Sequence, residues 1–135
     1  SQKTVFIMEG LIYYLPPKAV DDMLCFIAKN SGVGSAIIFD YVYESSIDRT
    51  NGICGVQCTA CDQIAIMDAK KDMAQQGEPY KFGVKDGMLE TFVVQRGFSQ
   101  VCNVTTEDYK KTYFQGINEN RPVCYLSHFA HAIVK

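Results

Sequence analysis

Apolar and polar residues in the first 40 positions follow the pattern of a strand, a helix and a second strand. Thr4–Met8 is a short apolar run typical of a buried strand. Pro17 suits the first turn of a helix, which Asn30-Ser31-Gly32 ends. The apolar residues of this helix recur at helical spacing: Val20, Met23, Leu24, Ile27 and Ala28. Residues 36–39 form a second apolar run, so the pattern predicts a right-handed βαβ unit with parallel strands.

The middle of the chain is less regular. Residues 43–61 are polar and rich in cysteine, without a clear period, whereas residues 62–75 have a weak helical pattern. The stretch "QQGEPYKFGVKDG", residues 75–87, is typical of a loop because of its glycine and proline content.

The last third returns to α/β alternation. Asp86 is expected to cap a helix with Leu89, Phe92 and Val93 on its apolar face, closed by Gly97. A strand is expected over Phe98–Val104. Thr105 and Asp108 have the spacing of a capping box, which opens a helix through Tyr113 and Phe114. Val123–Val134 is expected to be the last strand. The order therefore predicts a layered α/β domain.

Composition limits the class of protein. The chain has 135 residues, 47% of them hydrophobic and 21% charged, which fits a single globular domain over 1–135. The net charge of -2 argues against nucleic acid as a partner. No apolar run approaches the ~20 residues that a membrane span requires, and no signal peptide is visible. We therefore expect a cytoplasmic protein that binds neither nucleic acid nor membrane.

An acidic residue lies at or just beyond the end of each of the first two strands. Glu9 follows the first strand and Asp40 ends the second. In open α/β sheets, ligands bind beyond the carboxyl ends of the strands. Glu9 would either cap the following segment or face water, or it would pair with a cation or hydroxyl of a bound cofactor. The spacing alone leaves both interpretations open.

Six cysteines raise the question of a metal or cluster. The sequence "CGVQCTAC" places Cys54, Cys58 and Cys61 at C-x3-C-x2-C, which resembles the radical-SAM motif for a 4Fe–4S cluster. Ala60 stands where that family has an aromatic residue, and the chain is short for its barrel. Zinc would lack a fourth ligand nearby. We therefore expect a cysteine-rich connector or helix and no metal.

The remaining candidates for chemistry have simple structural explanations. Cys25, Cys102 and Cys124 lie in helix-like and strand-like patterns and are expected to be core thiols. His128 and His131 lie three residues apart on a strand, so their side chains point to opposite faces and do not form a metal pair.

Two separated stretches resemble one enzyme family. Residues 8–42, "MEGLIYYLPPKAVDDMLCFIAKNSGVGSAIIFDYV", and residues 77–98, "GEPYKFGVKDGMLETFVVQRGF", resemble the leucine carboxyl methyltransferases and their prokaryotic relatives. These are S-adenosylmethionine-dependent O-methyltransferases. The terminal "HFAHAIVK" is also similar to the last strand of that family.

The resemblance implies a fold and a set of site residues. The family has the class I (Rossmann-like) methyltransferase sheet, with strand order 3-2-1-4-5-7-6. This chain would supply the fourth to seventh strands, with the last one antiparallel. By resemblance, Glu9 contacts S-adenosylmethionine, and Gly10 and Leu11 lie at the rim of its pocket. Asp40 and Tyr41 match positions near the acceptor substrate, which would present a carboxyl or hydroxyl group.

Part of the family pattern is absent from these 135 residues. They contain neither the glycine-rich loop after the first family strand nor the acid that holds the ribose. We therefore expect the C-terminal half of a methyltransferase fold, inactive alone, with weak or no binding of the donor. The first alternative is a non-catalytic interaction or assembly domain, and the second, more remote one is a radical-SAM-type Fe–S protein. In either case, we expect Thr4–Met8 to pair with a partner chain or a second copy, since one edge of that strand lacks its neighbour.

Overall fold

The described part of the chain forms one mixed sheet with helices packed beside it. The computed structural model describes residues 2–48, 80–121 and 126–135. Its helices and strands, in chain order, are β1 (Val5–Met8), α1 (Pro17–Asn30), β2 (Ala36–Tyr41), α2 (Glu44–Asp48), α3 (Leu89–Val94), β3 (Phe98–Val104), α4 (Thr106–Tyr113) and β4 (His128–Val134). Short 3₁₀ turns lie at Ile12–Tyr14 and Gly116–Asn118.

The strands lie in the order β1-β2-β4-β3. β1 and β2 are parallel, and their connection through α1 confirms the predicted βαβ unit. β4 lies between β2 and β3 and is antiparallel to both, so the expected antiparallel last strand is confirmed. The carboxyl ends of β1, β2 and β3 therefore meet at one edge of the sheet, together with the beginning of β4. We call this the carboxyl edge.

One face of the sheet carries the core. Helix α1 begins at Pro17 and buries Val20, Leu24 and Ile27, whereas Phe26 on its outer side is 66% exposed. Alternate residues of β2 and β4 point into this core and are at most 2% exposed: Ile37, Phe39, Tyr41, Ala130, Ala132 and Val134. The period of two in burial is the pattern expected of a sheet with one covered face.

Helix α3 packs beside α1 on the same face. The Arg96 guanidinium, just beyond α3, bonds to the Asp21 carboxylate of α1 and lies 3.8 Å from the centroid of the Phe92 ring. Gly97 allows the close approach, because a Cβ atom there would lie 3.0 Å from the Cβ of Ala28. The predicted apolar face of α3 is confirmed, with Leu89 and Val93 buried.

The opposite face is largely uncovered within the described residues, and we call it the open face. It carries Ile38 and Ile133, which are half-buried, and Val5, Ile7 and Phe129, which are 61%, 71% and 40% exposed. Helix α4 reaches only its end, where the Tyr109 and Phe129 rings lie 5.8 Å apart. The expectation of a core thiol at Cys102 is wrong. Cys102 lies opposite His131 in the register of β3 and β4, and His131 lies opposite Ile38 on the open face. Cys102 is therefore exposed.

Several boundaries differ from the predicted ones. β1 begins at Val5 rather than Thr4, and β4 begins at His128 rather than Val123, with residues 122–125 outside the described part. The predicted helix over residues 62–75 and Cys124 also lie outside it. Residues 44–48, expected to be irregular, form α2.

The two predicted caps have different outcomes. The capping box is confirmed, because the Thr105 side chain accepts from the Asp108 N–H while Asp108 accepts from the Thr105 N–H. The expected cap at Asp86 is wrong. Its carboxylate accepts from the Ser45 hydroxyl at 2.7 Å, and α3 begins after Met88 without a side-chain cap.

Among the helices in the described ranges, none is long and apolar enough to cross a membrane.

Candidate functional site

Asp40 connects the ends of β1 and β2 at the carboxyl edge. Its Oδ1 atom accepts from the Gly10 N–H at 2.9 Å, and its Oδ2 atom accepts from the Tyr13 hydroxyl at 3.2 Å. Asp40 is 8% exposed. Hydrogen bonds to a charged acceptor are stronger than neutral ones, and they compensate for the cost of burying the carboxylate. Asp40 thereby fixes the segment that follows β1.

That segment turns sharply at Gly10. Its φ of +62° lies in the left-handed region, which glycine adopts without steric cost. The turn directs the Gly10 N–H toward Asp40 and leaves the Glu9 side chain exposed. Leu11 is 38% exposed at the same rim. The structure therefore joins Gly10 to Asp40 by a hydrogen bond, whereas Glu9 and Leu11, on either side of Gly10, are exposed.

A cluster of three tyrosines supports the turn. The Tyr13 ring lies 4.8 Å from Tyr14 and 4.7 Å from Tyr80, between ring centroids. The C=O of Tyr13 accepts from the N–H groups of Lys81 and Phe82 at 2.7 and 3.2 Å. Burial raises the pKa of the Tyr13 phenol, and the negative charge of Asp40 raises it further. Tyr13 therefore stays protonated and remains a donor to Asp40.

Tyr41, predicted as the neighbour of Asp40 near the acceptor, points to the other face. It is completely buried, and its hydroxyl donates to Oδ1 of Asn103 at 2.9 Å. Burial raises the pKa of Tyr41, with a further contribution from Tyr43. The side chains of adjacent strand residues point to opposite faces of the sheet. Asp40 and Tyr41 therefore have different neighbours, although both lie at the carboxyl edge.

Tyr41 belongs to a second cluster that the sequence did not reveal. Its ring lies 5.5 Å from the His128 ring and 5.6 Å from the Tyr43 ring, and the last two lie 4.5 Å apart. His128 is directly opposite Tyr41 in the register of β2 and β4. The sequence correctly predicted opposite faces for His128 and His131. It carried no signal for the contact with Tyr43, which depends on the path of the chain beyond β2.

His128 is unusual because one of its ring nitrogens has no hydrogen-bond partner among the described residues. The side chain is 8% exposed, and its Nδ1 atom has no hydrogen-bond partner in the described part of the chain. Burial lowers the pKa of His128, an effect that the Asp86 carboxylate partly offsets.

A cavity of about 180 Å³ opens near Tyr13, lined by Pro17, Glu44, Ile47, Lys81, Phe82 and Gly83. Pockets for drug-sized ligands are larger, ~300–1,000 Å³. This cavity therefore holds at most a small group.

The described residues do not complete a pocket for S-adenosylmethionine. Glu9 offers one exposed carboxylate, while the Gly10 N–H is already bonded to Asp40. Cys54, Cys58 and Cys61 lie outside the described residues. In the ranges that are described, no three His, Cys, Asp or Glu side chains are grouped as metal ligands.

Comparisons with known proteins bear on the fold alone. No protein-family model matches the chain, and no curated protein matches it. Among solved structures, it is similar to a possible exported protein from Bordetella parapertussis, with a TM-score of 0.61 and 10% identity. That similarity covers 98% of this chain and 40% of the other.

A second similarity is weaker. It is to magnesium protoporphyrin IX methyltransferase (ChlM) from Synechocystis PCC 6803 with bound SAH, with a TM-score of 0.45 and 11% identity. It covers 100% of this chain and 47% of the other. The score is too low to establish a common fold. The chain thus spans less than half the length of either structure.

We expect Asp40→Ala to destabilise the protein by roughly 1–3 kcal/mol, because the Gly10 N–H and the Tyr13 hydroxyl lose their acceptor. Tyr13→Phe removes only one of these bonds and should cost less. Denaturant unfolding of both single variants and the double variant measures the coupling. Strictly additive effects would contradict the shared role of Asp40.

A second prediction concerns pH. The pKa of His128 is lowered in the folded state, so the unfolded chain binds the proton first. The free energy of unfolding should therefore fall as the pH drops below about 6.5, the ordinary histidine pKa. Above that pH, His128 should cause no such loss. In unfolding measurements, His128→Phe should remove this part of the decrease in stability at acid pH. The same change at His131, the other histidine, is the control and should leave it in place. Identical pH profiles for His128→Phe and the parent protein would contradict the assignment.

Proposed function

We propose that this chain is the acceptor-side half of an S-adenosylmethionine-dependent O-methyltransferase fold. The donor-binding half would be supplied by polypeptide outside these 135 residues. The proposal rests on the sequence resemblance together with one structural observation, the arrangement of the sheet at the carboxyl edge.

That arrangement agrees with the order the resemblance implies. The observed order β1-β2-β4-β3, with β4 antiparallel, corresponds to the 4-5-7-6 part of the methyltransferase sheet. The Glu9–Gly10 turn and Asp40 meet at the edge where open α/β sheets bind ligands. A four-stranded mixed sheet alone would be compatible with many functions. The order, the antiparallel strand and the acidic turn together favour a methyltransferase-like domain.

Each site residue has a role in this proposal. Glu9 hydrogen-bonds the methyl donor from the exposed rim, beside Gly10 and Leu11. Asp40 is a positioning residue, because it holds the turn that presents Glu9. Tyr41 shapes the acceptor side from the opposite face. When bound, S-adenosylmethionine supplies an electrophilic methyl group, and the chain's own part is to orient the acceptor.

A single carboxylate does not bind the donor tightly. One hydrogen bond to a charged group contributes roughly 1.5–3 kcal/mol, whereas micromolar affinity requires about 8 kcal/mol. We therefore predict that calorimetry with this chain alone detects no micromolar binding of S-adenosylmethionine. Micromolar binding by this chain alone would overturn the need for a second half, and binding that survives Glu9→Gln would also overturn the proposed role of Glu9.

A non-catalytic interaction or assembly domain is the alternative function. The open face favours it, and so does the edge of β1 that no described strand pairs with. Both are surfaces that other polypeptides cover. In both functions another polypeptide would contact these surfaces. The two differ in whether the resulting assembly binds S-adenosylmethionine.

We propose that the isolated chain pairs through the edge of β1 with a second copy of itself. The Ala36 N–H donates to the Thr4 C=O, so Thr4 directs its backbone groups toward β2. Because backbone groups alternate along a strand, those of Val5 and Ile7 face the edge of β1 that is unpaired in the described part of the chain. A two-fold axis would pair this edge with its own copy in antiparallel fashion.

The prediction is that scattering or equilibrium sedimentation shows a dimer that Ile7→Pro converts to monomer. Proline at this position removes an outward N–H without affecting the groups that face β2. Val33→Lys, at a site that is 70% exposed elsewhere, is the control for surface changes and should leave the dimer intact. A parent protein that is monomeric at high concentration would refute the pairing.

A further inference from the structure

The cavity of about 180 Å³ lies at the carboxyl edge and is built from three segments of the chain. Pro17 begins α1, which follows the turn after β1, whereas Glu44 and Ile47 belong to α2, which follows β2. Residues 81–83 form the remaining wall, and two of their N–H groups donate to the Tyr13 C=O. The walls are therefore fixed by the sheet and by backbone hydrogen bonds.

The cavity has room for a small organic molecule. A cavity of ~150 Å³ is large enough to bind benzene, so this one admits a molecule of about that size or slightly larger. It is open to solvent, since Pro17, Glu44 and Lys81 are exposed. Gly83 keeps its wall close to α2, because a Cβ atom there would lie 2.7 Å from backbone atoms of Glu44.

Two opposite charges line this cavity. Glu44 contributes a carboxylate and Lys81 an ammonium group. In the described part of the chain, no ion pair joins these two side chains to each other or to a third residue. Both charges are therefore available to a ligand inside the cavity.

The rest of the lining defines what kind of ligand matches. Helix α1 begins at Pro17 without a side-chain cap and without an acidic residue in its first turn, so the positive end of its dipole adds to the charge of Lys81. Together they favour an anionic group, and Glu44 favours a cationic one. Ile47 and Phe82 supply apolar surface between the charged groups. A matching ligand carries one charge of each sign and a short apolar body.

We propose that this cavity binds a free α-amino acid with a short aliphatic side chain. Lys81 and the start of α1 receive the carboxylate, Glu44 receives the ammonium group, and Ile47 and Phe82 contact the side chain. A simple carboxylic acid or amine of the same size engages only one of the two charges. The inference goes beyond the proposed function and does not depend on it, since it involves neither S-adenosylmethionine nor methyl transfer.

The test is amide NMR of the labelled full chain during titration with L-valine. We expect saturable shifts in the millimolar range, largest at residues 44–47 and 81–83. Isovalerate is valine without the amino group, and isobutylamine is valine without the carboxylate, so the two are matched controls. Each should bind roughly three- to tenfold more weakly than valine, because a contact between exposed charges contributes less than a buried one.

Four variants assign the two charges. Lys81→Gln and Glu44→Gln change exposed side chains and should each weaken valine binding roughly three- to tenfold. Lys81→Gln should leave isobutylamine binding unchanged, whereas Glu44→Gln should not weaken isovalerate binding. Lys85→Gln and Glu90→Gln are charge-matched controls at exposed sites outside the cavity, and neither should alter valine binding.

Three results would overturn the proposal. The first is no saturable response to valine, or a response only at residues away from the cavity. The second is isovalerate or isobutylamine binding as tightly as valine, since the site would then recognise a single charge. The third is valine binding that neither Lys81→Gln nor Glu44→Gln weakens.

Discussion

The buried carboxylate of Asp40 is the interaction on which the carboxyl edge depends. It accepts from the Gly10 N–H and the Tyr13 hydroxyl, and so ties the segment after β1 to the end of β2. Without this acceptor, the Gly10 N–H would lose its partner, and the turn that carries Glu9 would lose its bond to β2. The tyrosine cluster and the loop at residues 80–82 pack onto a turn that Asp40 already holds. The conformation of the site thus depends on the Asp40 carboxylate and on the two groups that donate hydrogen bonds to it.

The uneven covering of the sheet is the second constraint. Helices α1 and α3 bury one face, whereas the open face carries Val5 and Ile7 at 61% and 71% exposure. Such a surface is costly in water, at roughly 25 cal/mol for each Å² of apolar area. The interaction-domain alternative draws on this face, which the described residues leave largely uncovered. The methyltransferase proposal rests instead on the sequence resemblance and on the arrangement of the carboxyl edge.

The sequence was most informative where local patterns decide structure. The βαβ unit followed from the spacing of Val20, Leu24 and Ile27, and the capping box from Thr105 and Asp108. Asp86 was misjudged because a long-range partner, Ser45, competes with the helix end for its carboxylate. His128 was seen only as one of two histidines on opposite faces. Its ring contacts with Tyr41 and Tyr43 depend on strand register and on the path of the chain after β2, which no local pattern encodes.

Amide NMR of the labelled chain, titrated with S-adenosylmethionine to millimolar concentration, tests the central claim most directly. If the turn after β1 is the donor side of a methyltransferase edge, the shifts should be weak and confined to Glu9, Gly10 and Leu11. Glu9→Gln should reduce them while leaving the rest of the spectrum unchanged. Shifts elsewhere with none at this turn, or shifts at the turn that are insensitive to Glu9→Gln, would contradict the account.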